Sequence, residues 1–246
     1  MKVDQTVNRA IDKRLVKQNQ LREKLHNPSG KLSASKLGDP VQWQILHTLG
    51  VPKKELDAYT LRKFERGNDV EAWLVDFVPA LVGKQLFLQY REVVGYADCV
   101  VDTTEDYDFK VGVVPMEIKS VTNANYKWIK NGSGPKDNHA LQAAFYGLAM
   151  GAENALLSYV ASDDYRVKCF VIEVADYQER IDQAIDCYNE NRLVWEQDGL
   201  IPVFKPIEKW QENLKYNQYP DFVGLSSEEA GNKARQLLEE VKKNGF

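Results

Sequence analysis

The 246-residue sequence predicts an α/β fold. Three observations carry that expectation. Gly95–Val101 (GYADCVV) and Lys110–Val121 (KVGVVPMEIKSV) are rich in β-branched residues and read as two strands joined by the acidic turn Asp102–Asp108. Apolar residues at helical spacing recur on both sides of that pair, over Tyr59–Val78 and Asp137–Met150. Two more strand-like runs and a long amphipathic stretch follow, so the order reads helix, three strands, helix, two strands, helix.

With 43% hydrophobic residues, the chain can bury one sizeable core, and the expectation is a single domain over 1–246. It contains no run of about 18 apolar residues, so no membrane span is expected. The first 17 residues lack the apolar core of a signal peptide. Cys99, Cys169 and Cys187 are odd in number and widely spaced, offering neither a disulfide framework nor a CxxC metal site. A cytoplasmic location follows as the default. The net charge of −4 argues against broad coating of duplex nucleic acid. Residues 1–36 nevertheless hold nine basic against three acidic side chains, so a local basic track stays open.

Taken in order, Val3–Leu25 reads as a charged helix with a narrow apolar stripe at Val7, Ile11 and Leu15, ended by His26–Gly30. It is either a solvated helix clamping the domain or a basic arm toward nucleic acid or a partner. Ser33 or Ser35 is expected to cap a second helix through Gln42 and Leu46, which stops at Gly50-Val51-Pro52. In the third helix, Gly67, Glu71, Leu74 and Val78 share one partly apolar face. A carboxylate there must be paired, neutralised or metal-bound, because burying an isolated charge is costly. Otherwise Glu71 is a surface residue of an amphipathic helix.

Leu86–Val94 is the expected strand before Gly95–Val101. Along an extended chain residues two apart point the same way, so Glu117 and Lys119 share one face and Met116 and Ile118 the other. Two carboxylates, Asp98 and Glu117, with one ammonium group make an acidic site with a cationic arm, which suits a divalent metal beside a phosphate. Ser120–Lys136 reads as a flexible loop holding Lys127, Lys130 and Lys136, interleaved with Tyr126 and Trp128. Such a pattern can track a phosphate backbone while stacking on bases, or it can be a solvated loop anchored by its tryptophan. On the helix Asp137–Met150, His139, Gln142 and Tyr146 fall on a polar face opposite Leu141, Phe145 and Leu148. His139 is either structural or part of the site. Ala155–Ala161 and Val167–Val174 read as strands and Ala175–Gln197 as a helix. A Pro- and aromatic-rich segment, Ile201–Phe222, precedes a final helix, Glu228–Lys243, capped by Ser226 or Ser227.

Asp98 followed after a hairpin by Glu117-Ile118-Lys119 resembles the D…(D/E)-x-K signature of the PD-(D/E)XK nuclease superfamily. Gly67-x-x-x-Glu71 upstream and Gln142-x-x-x-Tyr146 downstream extend the resemblance to its RecB-like branch, over roughly Leu32–Phe222. The resemblance implies a restriction-endonuclease-like core (32–222) with a central mixed β-sheet flanked by α-helices. A basic N-terminal helix (1–30) and a C-terminal helix (223–246) would be additions to it. It also implies a DNA nuclease using Mg²⁺ or Mn²⁺, more readily an exonuclease acting on ends or single strands than a site-specific endonuclease. A role in replication, recombination or repair follows, with a partner protein and a bacterial or phage-infected cell as its setting. Asp98, Glu117, Glu71 and the main-chain carbonyl of Ile118 would hold the metal. Lys119 would position water or stabilise phosphate charge, oriented by Gln142 and Tyr146, while Lys127, Trp128, Lys130 and Lys136 would contact DNA.

Many RecB-like nucleases contribute cysteines to an iron–sulfur cluster near the C-terminus. Here Leu214 and Asn217 stand at those places, between Trp210 and Tyr219, and Asp39 stands near the upstream one. Thiolates are required, so no cluster is expected, and packing by Trp210, Tyr216 and Tyr219 would replace it. Two other classes compete: a nuclease-fold module that binds DNA or a partner without cleaving, and a two-carboxylate hydrolase such as a glycosidase. The latter leaves Lys119 and Glu71 without a task.

Overall fold

The computed structural model describes residues 5–25, 30–214 and 217–243, with side chains for all of these except 23–25, 130, 131 and 210. In chain order the elements are α1 (Thr6–Leu25), β1 (Leu32–Ser33), α2 (Val41–Thr48), α3 (Ala58–Phe77), β2 (Leu81–Tyr90), β3 (Val93–Asp102) and β4 (Val113–Val121). Then come α4 (Asn123–Trp128), α5 (Asp137–Met150), β5 (Asn154–Ala161), β6 (Val167–Glu173), α6 (Ala175–Asp198) and α7 (Ser227–Lys243). The architecture is α/β, as the sequence predicts: a mixed six-stranded sheet and seven α-helices among the described residues. Contacts divide the chain into two compact units. One comprises Lys31–Asp39 and Arg66–Asn189, the other Met1–Gly30, Pro40–Glu65 and Glu190–Phe246.

The first unit holds the sheet, in the order β1-β3-β4-β5-β6 with β2 also paired to β3. The pairs β2–β3, β3–β4 and β5–β6 are antiparallel, while β1–β3 and β4–β5 are parallel. Val70, Leu74 and Val75 of α3 pack on Cys99, Val101, Met116, Ile118, Leu156 and Val160 of the sheet. On β4 this leaves Glu117 and Lys119 pointing to the other face, the alternation the sequence dictates. That opposite face is covered by α5. It is buried from Ala140 to Gly147, so its expected division into polar and apolar sides is replaced by burial almost all round.

Three local expectations change. The strand Leu86–Val94 is two strands: β2 runs from Leu81, and the chain reverses at Arg91-Glu92. Neither residue is a usual turn former, yet Arg91 adopts φ 51°. Its carbonyl accepts from Gln89 Nε2 (2.9 Å), and its guanidinium meets Asp186 at 2.6 Å. Tertiary anchors thus do what Gly or Asn does in most hairpins. Of the expected loop Ser120–Lys136, Ser120 and Val121 end β4, and helix α4 follows, whose Thr122 cap accepts from the Asn125 N–H (3.4 Å) and which continues as a π-helical turn. Finally, neither Ser33 nor Ser35 caps α2. Leu32–Ser33 forms β1, Ala34–Lys36 a 3₁₀ turn, and α2 starts after Pro40.

In the second unit, Val7, Ile11 and Leu21 of α1 stay exposed, and the helix is held by Arg62–Asp12 (2.6 Å) and Arg22–Glu65 (2.9 Å) ion pairs. Ser226 and Glu229 form a reciprocal capping box at the start of α7. Between α6 and α7, Asn217 is buried. It donates to the Gln211 carbonyl (3.2 Å) and accepts from the Tyr219 N–H (2.8 Å), while Tyr219 packs edge-on against Phe222. An amide thus ties this segment where the sequence reading expected aromatic packing alone. Leu214 is exposed; Tyr216 and the Trp210 side chain lie outside the described residues.

Candidate active site

The β3–β4 ladder runs from Asp102↔Val113 to Cys99↔Met116. One more step in that register would set Asp98 opposite Glu117, but the strands part there. The Ile118 N–H donates to Asp98 Oδ2 at 2.7 Å. A strand residue presents its N–H and C=O to the same edge, so the Ile118 carbonyl lies on the β3 edge as well. The carboxylate of Asp98 thus completes the backbone hydrogen bonding at the point where the sheet forks.

Glu117 is 3% exposed. Its Oε1 accepts from Lys119 Nζ, while Oε2 is buried with no hydrogen-bond partner among the described residues. Lys119 also donates to Gln142 Oε1 at 3.1 Å, and Gln142 Nε2 donates to the Tyr146 hydroxyl at 3.1 Å. Lysine has no acceptor, so the contact fixes which end of the amide faces it. Tyr146 in turn lies against β3 at Gly95. A Cβ at Gly95 would sit 2.8 Å from Tyr146 Cε1, 3.0 Å from its hydroxyl and 2.9 Å from Ala34 Cβ. Only glycine permits that approach.

Burial pushes the Asp98 carboxyl up to about 8, with repulsion from Glu117 and then Glu71 adding to it and the Ile118 N–H opposing. Glu117 is also raised by burial, against the opposing charge of Lys119. Burial raises Tyr146 too, so its hydroxyl stays protonated and able to donate. His139 is driven down to about 3 by burial, then by Lys119 and Lys136. It is a neutral ring, bonded through Nδ1 to the Tyr159 hydroxyl (3.0 Å), which accepts from the Lys136 N–H (2.9 Å). His139 thereby fastens the start of α5.

Glu71 on α3 is half-buried and lines a cleft of about 310 Å³ with Asp98, Gln85, Lys84, Asp76 and Asn68. Its Oε1 accepts from Gln85 Nε2 at 2.9 Å, and Lys84 Nζ bonds Asp76 at 2.7 Å. Nothing lies within 4 Å of a Cβ placed on Gly67, one turn earlier, so that stretch of α3 is open. Among the described residues no three His, Cys, Asp or Glu side chains are gathered as a ready-made metal cage. Each carboxylate is drawn to a protein donor instead: Glu71 to Gln85, Asp98 to Ile118 and Glu117 to Lys119.

Lys127 and Lys136 are exposed, and Trp128 is 55% exposed at the end of α4; the Lys130 side chain lies outside the described residues. Tyr126 and Ile129, buried, seat the segment. Gln85 and Gly95 belong to no motif visible in the sequence. A glycine three residues before Asp98 within a strand was the available signal for the latter. Nothing in local sequence marks Gln85.

No family model matches the sequence, and no curated protein matches it. Among solved structures the chain is similar to an alkaline exonuclease (LHK-Exo) from Laribacter hongkongensis, at 13% identity and TM-score 0.47, over 70% of this chain and 94% of that one. It is also similar to SSO0001 (13%, TM-score 0.49, 91% and 99% covered). A third is a phage related exonuclease from Haemophilus somnus 129PT (14%, TM-score 0.43, 71% and 99% covered). No helix among the described residues is long and apolar enough to cross a membrane.

Proposed function

We propose that this chain is a PD-(D/E)XK-type nuclease that hydrolyses phosphodiester bonds in DNA with Mg²⁺ or Mn²⁺. The observation that carries the reading is the fork between β3 and β4. There a buried carboxylate (Glu117), a second carboxylate (Asp98) and an ammonium group (Lys119) converge, and Glu117 Oε2 has no hydrogen-bond partner among the described residues. A buried acceptor without a donor is costly, and crowded carboxylates favour a cation, so the residues fit a hard divalent ion with oxygen ligands. Asp98, Glu117, Glu71 and the Ile118 carbonyl would hold it. When bound it would neutralise charge on the phosphate and lower the pKa of water.

The chain's own residues do the rest. Lys119, charged and held by Glu117 and Gln142, offers a fixed cation to a phosphate oxygen or the attacking water. Gln142 and Tyr146 keep it aimed. Exposed Lys127, Lys136 and Trp128 would meet an incoming single strand or end, and the sequence pattern adds Lys130 to them. Action on ends, a part in replication, recombination or repair, a cytoplasmic or phage setting and the absence of an iron–sulfur cluster belong to the same reading.

End-labelled single- and double-stranded DNA, incubated with Mg²⁺, Mn²⁺ or EDTA, tests it. Stepwise loss from ends with either metal, none in EDTA and none for Asp98→Asn or Glu117→Gln is the expected result. Equal cleavage by wild type and both variants overturns it, and DNA binding without cleavage under every condition makes the chain a binding module.

A further inference from the structure

Resting on that reading, the geometry points to Gln85 as the positioning residue that holds Glu71 in place for the metal. In the β2–β3 ladder Lys84 pairs with Cys99 and Leu86 with Ala97, so the register sets Gln85 opposite Asp98. The ladder is interrupted there, as it is also at the bulge between Leu81 and Gly83. Gln85 instead takes φ 50°, in the left-handed region where a non-glycine residue is strained. The turned backbone is accompanied by a hydrogen bond from Gln85 Nε2 to Glu71 Oε1 (2.9 Å), and both residues line the cleft that contains Asp98. Strain of this kind persists where the surroundings fix it, and it collects at sites whose geometry matters more than local ease.

The side-chain type fits the task. A glutamine amide orients a carboxylate while leaving its negative charge intact, whereas a lysine would neutralise the charge and compete with a cation. Lys84, the adjacent residue, is occupied by Asp76 at 2.7 Å, so the cation on this strand is kept off Glu71. The hydrogen bond of the Gln85 side chain goes to Glu71, and its action runs through that carboxylate.

The test is Mn²⁺ titration without DNA, by calorimetry, with thermal melts in EDTA alongside. Gln85→Ala and Gln85→Gly are expected to weaken Mn²⁺ affinity about tenfold, the usual range for residues that orient metal ligands. Gln85→Gly removes the backbone strain, so its melting temperature in EDTA should equal or exceed that of wild type. Gln85→Ala added to Glu71→Gln should cost no further affinity. If Gln85→Gly binds Mn²⁺ within twofold of wild type while Glu71→Gln and Glu117→Gln bind weakly, the role of Gln85 is overturned and the nuclease reading stands. If Gln85→Gly melts lower in step with its lost affinity, Gln85 is a structural staple and the proposal is likewise overturned. Undetectable binding by wild type, or binding indifferent to Asp98→Asn and Glu117→Gln, overturns both.

Discussion

Glu117 and Glu71 both press their charge on Asp98, yet the protein treats them in opposite ways. Glu117 is buried on the central strand β4 and ion-paired to Lys119, at the head of a chain through Gln142 to Tyr146 and Gly95. Glu71 sits half-exposed on α3 and is held by one neutral amide from a strained position on β2. The first arm is a preorganised, buried charge; the second is a carboxylate at the edge of a cleft, which under the proposed function would be an adjustable metal ligand. Side chains on the rigid arm should therefore show coupled losses of stability and activity, and those on the open arm should lose metal affinity alone.

The largest effect falls on the rigid arm. Lys119→Met should cut cleavage by about a hundred- to thousandfold, the range for losing one fixed charge-stabilising donor. It also removes the charge that opposes burial of Glu117. A carboxylate whose folded pKa is raised binds more protons folded than unfolded, so stability declines as pH rises from the unfolded value toward the folded one. For Asp98 that window runs from the ordinary 3.8 up to about 8. Metal-free wild type should accordingly melt at progressively lower temperature between pH 5 and pH 8. Lys119→Met should steepen that decline, and Asp98→Asn should flatten it. A melting temperature independent of pH across this range, in EDTA, would show that the carboxylates are not crowded.

Gly95→Ala comes next. Its methyl meets both Tyr146 and Ala34, and overpacking of this kind costs about 1–3 kcal/mol. The same displacement reaches Lys119 through Gln142, so cleavage should fall together with stability, measured by urea unfolding and by initial rate. A Gly95→Ala protein with normal rate would detach β3 from the rigid arm.

Much of the rigid arm was legible because it follows from period alone. Two-residue alternation puts Glu117 and Lys119 on one face of β4, with Met116 and Ile118 in the core beneath α3. The four-residue spacing of Gln142 and Tyr146 stacks them on one side of α5, where they bond to each other. The open arm was only half legible. Glu71 could be placed by helical spacing, but Gln85 depends on a left-handed backbone that no glycine or asparagine announces. The β2–β3 turn was missed for the same reason, since Arg91 is held by Gln89 and Asp186 rather than by its own preference. Helix α4 does not show in the sequence because its asparagines are weak helix formers, although Thr122 marks its start. Tertiary partners override local propensity at each of these points.

The smallest effect sharpens the comparison most. Tyr146→Phe keeps the ring that fills the space against Gly95 and removes only the acceptor of Gln142 Nε2. An unsatisfied buried donor costs about 1–3 kcal/mol, but the amide retains its bond to Lys119, so the expected loss is near the lower end. Cleavage should fall a few-fold, with Mn²⁺ affinity unchanged, because neither Glu71 nor Asp98 bonds to this tyrosine. Gln85→Ala should give the converse pattern, weakened Mn²⁺ binding with little change in melting temperature. If Tyr146→Phe instead weakens Mn²⁺ as much as Gln85→Ala does, the two arms act as one unit and the distinction between fixed charge and adjustable ligand fails.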